Sequence, residues 1–219
     1  MSKAAIGLLV IGAAGSLIVA ISDMIMVGQF ISGRDAATSG LDILIGKTQA
    51  QLRLGAFLGL PGFLFQMAGF CSLLLLAKKG RGWAAIGIAV LFGLTLMVGS
   101  AWHMLYLPLG STINQTDLPQ ETAEALQSVQ IQHLVLAFQG WRYLFIASST
   151  ALVALLLTRS TQLPWWLALL SPYLLMIGAR YTAGLLPAPI GGLLFVATVN
   201  VGLMIFFITA ASVVLRRRQ

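Results

Sequence analysis

Residues 83–107 read WAAIGIAVLFGLTLMVGSAWHMLYL, and this stretch decides the fold class. It contains no aspartate, glutamate, lysine or arginine, and it is long enough for a helix to cross ~30 Å of hydrocarbon at ~1.5 Å per residue. The sequence therefore predicts a membrane-spanning helix here.

Similar apolar runs lie on both sides of this one, separated by short polar gaps. Together they predict helices near residues 4–30, 52–77, 83–107, 131–158, 164–186 and 189–215. The chain is 58% hydrophobic and 9% charged, whereas a soluble domain carries roughly 25% charged residues. We expect the first run to be retained, because it is too long for the apolar region of a cleaved secretory signal. The predicted fold is a single all-α domain over residues 1–219, a polytopic transmembrane helical bundle of about six spanning helices.

Basic residues predict the orientation, because short loops rich in lysine and arginine remain in the cytoplasm. Eight of them lie before the first run, in the second and fourth gaps, and at the end of the chain: Lys3, Lys78, Lys79, Arg81, Arg159, Arg216, Arg217 and Arg218. The first gap is the exception, with Arg34 and Lys47, and we place it outside because the other segments outnumber it. Both termini are therefore predicted to be cytoplasmic, and we expect a multi-pass protein of the bacterial cytoplasmic membrane. Because the net charge of +7 is concentrated at helix ends, no nucleic-acid partner is expected.

Two external segments are longer than a minimal turn. Residues 32–40, SGRDAATSG, predict a mobile loop. Asp117 resembles an N-cap with Gln120 at the capping-box position, which predicts a helix that continues into the fourth span.

The second predicted helix carries small and polar residues spaced alternately four and three apart, which places them on one face. They are Gly55, Gly59, Gly62, Gln66, Gly69 and Ser72. Small residues let helix backbones approach closely in a membrane, so this stripe is predicted to face other helices.

Polar residues inside the spans are the candidate ligand-binding residues. They are Asp23, Arg53, His103, Tyr106, Gln139, Arg142, Arg180 and Asn200. A charge at the bilayer centre costs roughly 2.5–3.5 kcal/mol on insertion scales, so such residues usually have a function. Counted from the predicted helix ends, they lie in the external half of the bundle and predict a polar cavity that opens outward.

The charges in this set are unequal, because three arginines accompany the single carboxylate of Asp23. We expect Asp23 to be the counter-ion of Arg142 and Arg180, and the surplus guanidinium charge to bind a carboxylate or phosphate. His103, Gln139 and Asn200 would donate or accept hydrogen bonds. The alternative is a purely structural ion pair, with Arg53 extending to the membrane interface.

No cofactor is expected from the sequence. Cys71 is the single cysteine, so an intrachain disulfide and a CxxC redox pair are both excluded. His103 and His133 are the only histidines and form no HExxH motif, so metal catalysis lacks ligands.

Several short motifs resemble a family of uncharacterised bacterial integral membrane proteins, a domain of unknown function. They are Ser22-Asp23-Met24, Arg53-Leu54-Gly55, Ala101-Trp102-His103, Leu163-Pro164-Trp165-Trp166-Leu167 and Leu186-Pro187-Ala188-Pro189-Ile190-Gly191-Gly192 followed by Asn200. The resemblance covers most of the chain and implies a six-helix membrane architecture without an established activity. It also implies that Asp23, Arg53, His103 and Asn200 belong together.

The function predicted from the sequence is binding or transport of an anionic or amphiphilic small molecule or lipid head group, with membrane lipids as the surrounding partners. Two alternatives remain open. One is a cofactor-independent enzyme that acts on a lipid, with Asp23 and His103 as acid and base. The other is a structural or partner-binding membrane subunit. We expect a binding protein rather than an enzyme, and the sequence leaves the oligomeric state open.

Overall fold

The computed structural model describes residues 3–217 and confirms the all-α prediction. Its helices are α1 (Lys3–Met26), α2 (Gly33–Thr38), α3 (Gln49–Leu76), α4 (Gly82–Ile113), α5 (Gln120–Leu157), α6 (Pro172–Leu185), α7 (Ile190–Val196) and α8 (Thr198–Arg216). Two 3₁₀ helices, Gly40–Leu44 and Trp165–Leu170, complete the helical structure of this range. The β-type pairing within residues 3–217 is an isolated bridge between Ala77 and Thr161.

Five helices, α1, α3, α4, α5 and α8, are long and apolar enough to cross a membrane. The predicted span 164–186 is not one helix, because the chain turns to extended backbone at Ser171 between the second 3₁₀ helix and α6. Pro172 explains this break, since proline lacks an N–H group and disfavours helical backbone in the residue before it. The predicted span 189–215 is also divided, at Ala197, into α7 and α8.

The small-residue stripe of α3 faces other helices, as the sequence predicts, and its main partner is α1. A Cβ atom added to Gly12 would lie 2.7 Å from the Cα of Gly69, and one added to Gly15 would lie 2.6 Å from the carbonyl oxygen of Gly62. Because nothing larger than hydrogen fits at these positions, the two backbones are in direct contact.

The long helices form an open arc in the order α5, α4, α3, α1, α8, α6, in which each element packs on the next. The two ends of the arc, α5 and α6, make few contacts with each other. They meet at one level, where the rings of Phe145 and Tyr173 lie edge to face with centroids 6.2 Å apart, and the second 3₁₀ helix packs beside α5 below them. The arc is thus closed at one end of the bundle and loosely joined elsewhere.

Most of the predicted cytoplasmic segments meet at that closed end. The amide of Lys78 donates to the carbonyl of Ser160 over 3.0 Å, which joins the loop before α4 to the loop after α5. Helix α1 is antiparallel to α3, because Gly12 faces Gly69 and Gly15 faces Gly62, and antiparallel to α8, because Gly12 faces Phe207 and Asp23 bonds to Asn200. The start of α1 and the end of α8 therefore lie at this same end, which we call the basic end. Arg218 lies outside the described residues.

Residues 31–48 form a segment at the opposite end, which we call the cap segment, and the loop predicted at 32–40 is wrong because α2, Gly33–Thr38, lies there. The side chain of Ser32 caps α2 by accepting a hydrogen bond from the amide of Asp35 over 3.1 Å. Asn114, the residue that follows α4, holds the other half of the segment, accepting from the Gly46 amide over 2.7 Å and donating to the Leu44 carbonyl over 2.8 Å. Local sequence composition predicts a loop here because it contains no information about these tertiary hydrogen bonds.

Helix α5 begins at Gln120, before the predicted fourth span, and runs without a break to Leu157. This confirms the prediction that a helix begins near residue 120 and continues into that span. The predicted N-cap is wrong. Pro119 occupies that position and makes no side-chain capping bond, so Asp117 lies outside the helix.

Candidate functional site

A cavity of about 530 Å³ lies inside the arc, between the cap segment and the closed basic end. Its walls come from α1, α3, α4, α5, α6, α7, α8 and the cap segment. Much of the wall is aromatic: the ring centroid of Trp102 lies 5.1 Å from that of Phe138 and 5.2 Å from that of Trp141, which in turn lies 5.2 Å from Phe145. The cavity is thus more apolar than the sequence predicts, with its polar groups confined to a cluster and a rim.

The polar cluster is centred on an ion pair between α1 and α4. The Nδ1 atom of His103 lies 3.1 Å from Oδ1 of Asp23, and the histidine is 4% exposed. Its Nε2 atom lies 3.1 Å from the carbonyl oxygen of Gly55, which can only accept. The Nδ1–H group of His103 can donate to the Asp23 carboxylate, and a protonated ring would also donate from Nε2 and balance the negative charge of Asp23.

Asn200 and Gln66 extend the cluster to α8 and α3. The amide of Asn200 donates from Nδ2 to Oδ2 of Asp23 over 2.7 Å, which turns its Oδ1 towards Gln66. Gln66 must then present Nε2, which donates to that oxygen over 2.8 Å and lies 3.3 Å from the hydroxyl of Ser16. The carboxylate therefore determines the orientation of both amides.

One acceptor remains unused at the end of this chain of hydrogen bonds. Oε1 of Gln66 is buried and has no hydrogen-bond partner among residues 3–217, and Gln66 forms part of the cavity wall. A buried oxygen without a partner costs about 1–3 kcal/mol. A ligand that carries a hydroxyl or amide donor would satisfy it.

Ser22, His103 and Asp23 have the connectivity of a Ser-His-Asp triad, since the Ser22 hydroxyl lies 3.0 Å from Nε2 of His103. The surroundings argue against a nucleophilic serine. Ser22 is fully buried, is absent from the cavity wall, and donates its hydroxyl to the Gly55 carbonyl. A Cβ atom at Gly59 would lie 2.6 Å from Nε2, so no substrate carbonyl has room to approach. The serine thus fixes the histidine ring between α1 and α3.

The rim of the cavity carries two arginines. Arg142 of α5 and Arg180 of α6 both form part of the wall, and both are exposed. The guanidinium carbon of Arg180 lies 4.2 Å from the ring centroid of Phe195, a cation–π distance. Within residues 3–217 the ion pair found is that of Asp23 with His103, so the expected pairing of Asp23 with the arginines is wrong. Neither guanidinium has a carboxylate partner in this range.

The cavity brings together six of the eight candidate residues, namely Asp23, His103, Tyr106, Arg142, Arg180 and Asn200. Arg53 and Gln139 are exposed and lie outside its wall. Sequence reasoning placed Gln66 on a packing stripe but omitted it from the site. The signal was an amide among glycines on a buried helix face, where a polar side chain needs a partner.

Comparisons with known proteins agree with the resemblance in sequence. A protein-family model, described as a family of unknown function, matches residues 1–217. No curated protein matches the chain, and no solved structure matches it.

Proposed function

We propose that this chain, which belongs to the family of unknown function DUF6796, is an integral membrane protein. In this proposal it binds or transports an anionic amphiphile in the cavity. The observation that carries this proposal is the pair of rim arginines, Arg142 and Arg180, which have no carboxylate partner among residues 3–217. Guanidinium groups remain protonated, so a ligand with a carboxylate or phosphate supplies the missing negative charge.

The charge balance of the cluster supports the same reading. Had Asp23 paired with Arg142 or Arg180, a structural role in fastening helices would account for both residues. His103 takes that place instead, at 3.1 Å. Two positive charges near a low-dielectric region are costly unless an anion accompanies them.

The aromatic wall supports an amphiphile over a small inorganic anion. A volume of about 530 Å³ lies within the roughly 300–1,000 Å³ typical of small-molecule sites. Trp102, Trp141 and Phe145 offer apolar surface that an alkyl chain would cover, while the head group stays at the arginines. Gln66 Oε1 would accept a hydrogen bond from a donor on the ligand.

We also infer that the chain crosses the membrane six times with both termini in the cytoplasm, in a bacterial cytoplasmic membrane. Helices α5 and α8 both end at the basic end, so the chain between them must pass to the opposite end. The second 3₁₀ helix and α6 make that passage together, broken at Ser171. Reporter fusions after residues 80, 115, 160 and 219 test this topology: residue 115 should be external and the other three cytoplasmic, and the reverse pattern would contradict it.

Native mass spectrometry of the protein, purified in mild detergent, tests the ligand proposal. We expect a retained anionic lipid or metabolite on the wild type that is lost in Arg142→Gln and Arg180→Gln. Arg53→Gln is the matched control, because this arginine is exposed and lies outside the cavity. An adduct that survives in both cavity variants, or that Arg53→Gln removes equally, would contradict the proposal. A wild type without any adduct would favour a structural subunit.

A further inference from the structure

The end of the cavity that faces away from the basic end is covered. Residues of the cap segment, including Ala36, Gly40 and Ile43, form part of the cavity wall there. The segment is fastened on the other side of the bundle as well, because the Gly33 amide donates to the carbonyl of Leu186 over 3.0 Å. A ligand that arrived from water along the bundle axis would have to displace this cap.

The opposite end of the cavity is closed by packing. The Phe145–Tyr173 contact joins α5 to α6 at this level. Beyond it lie fully buried side chains of the core, such as Leu152 and Phe206, together with the second 3₁₀ helix. No route through the basic end follows from this arrangement.

The remaining side lies between α5 and α6, which make few contacts with each other, the Phe145–Tyr173 ring pair among them. Three residues there are both exposed and part of the cavity wall: Val135, which is 47% exposed, and Arg142 on α5, with Arg180 on α6. Ala37 and Gly40 of the cap segment are also exposed wall residues, but there the segment is held by hydrogen bonds of Asn114 and Gly33. Exposed wall residues on two helices that make few contacts with each other mark the edge of an opening. This opening is directed sideways, into the layer that lipid would occupy around a membrane-spanning bundle.

The geometry points to a lateral entrance between α5 and α6, through which an anionic lipid, a head group carrying phosphate or carboxylate on an acyl chain, passes from the bilayer into the cavity. This inference rests on the proposed function and deepens it by naming the source and class of ligand. The head group stays at Arg142 and Arg180 on the two sides of the entrance. The acyl chain passes between them to the aromatic wall.

Quenching of tryptophan fluorescence by brominated acyl chains tests the inference on the full-length protein in lipid nanodiscs. Trp83, Trp165 and Trp166 are exposed and are replaced by phenylalanine, which leaves Trp102 and Trp141 in the cavity wall. Brominated phosphatidylglycerol is compared with brominated phosphatidylcholine at equal mole fraction, so that quenching by surrounding lipid is the same in both. A water-soluble, short-chain brominated alkyl phosphate, added to the aqueous phase, is the third probe.

We expect phosphatidylglycerol to quench more than phosphatidylcholine, and the excess to be lost in Val135→Phe, which narrows the entrance. Leu136→Phe is the matched control, because Leu136 is 73% exposed on the same helix and lies outside the cavity wall. It should retain the excess. Thermal unfolding curves that match the wild type would show that both variants are folded.

The outcomes separate this inference from the function on which it rests. Excess quenching that persists in Val135→Phe, or quenching by the water-soluble phosphate without excess quenching by phosphatidylglycerol, would overturn the lateral entrance while leaving an anion-binding cavity. Equal quenching by the two lipids together with no effect of the soluble probe would overturn both. An excess that disappears in Val135→Phe and in Arg142→Gln, but not in Leu136→Phe, supports both.

Discussion

Asn200 links the carboxylate of the cavity to the rest of its polar cluster, and replacement by leucine tests how much stability depends on that link. Asn200→Leu removes the 2.7 Å hydrogen bond to Asp23, and bonds to charged groups contribute about 1.5–3 kcal/mol. It also leaves Nε2 of Gln66 with only the 3.3 Å contact to Ser16, at a further cost of about 1 kcal/mol. We expect the free energy of unfolding to fall by about 3 kcal/mol.

Gln66→Met is the contrasting variant, because it breaks the same amide–amide bond from the other side. It leaves Oδ1 of Asn200 unpaired, at about 1–3 kcal/mol, but it also removes the partnerless Oε1, whose burial costs a similar amount. Methionine is close to glutamine in size, so little cavity results. The expected loss is below about 1 kcal/mol.

Equilibrium unfolding in mixed micelles, titrated with sodium dodecyl sulphate and followed by tryptophan fluorescence, measures both losses. Equal losses for Asn200→Leu and Gln66→Met would refute the assignment of an unpaired oxygen to Gln66. A loss below about 1 kcal/mol for Asn200→Leu would refute the reasoning that the Asp23 carboxylate depends on this bond.

Three further predictions concern packing, the cap segment and pH. Gly15→Leu should prevent folding because its Cβ meets α3 backbone at 2.6 Å, whereas Gly7→Leu, with nothing within 4 Å, should fold normally as judged by gel filtration. Asn114→Ala should speed hydrogen exchange in the cap segment, measured by mass spectrometry, because two tertiary hydrogen bonds are lost. Burial lowers the pKa of Lys47 in the folded protein, so the unfolded chain binds the proton of the Lys47 ammonium group more tightly. The free energy of unfolding therefore increases as pH rises from the lowered pKa to the ordinary pKa of lysine. The unfolding free energy of the wild type minus that of Lys47→Met should increase across that pH interval. A difference that does not change with pH would contradict the prediction.

The sequence alone determined the properties that are local along the chain. Apolar length predicts the helices, and the positions of α1, α3, α4, α5 and α8 agree with it apart from their ends. Periodicity assigns Gly55, Gly62 and Gly69 to one buried face of α3, because the spacing of a helix is the same wherever it packs. Asp23 and His103 stand out because ionisable residues are rare in apolar runs.

Only the tertiary structure decided which of these residues meet. Asp23 pairs with His103 rather than with Arg142 or Arg180, because the rotation of each helix about its axis and the order of helices in the arc select the partner. The sequence of one helix alone determines neither its rotation nor its place in the order of helices. The gap between α5 and α6 has the same origin: it exists where two elements fail to pack, and only the assembled bundle determines where contacts are missing.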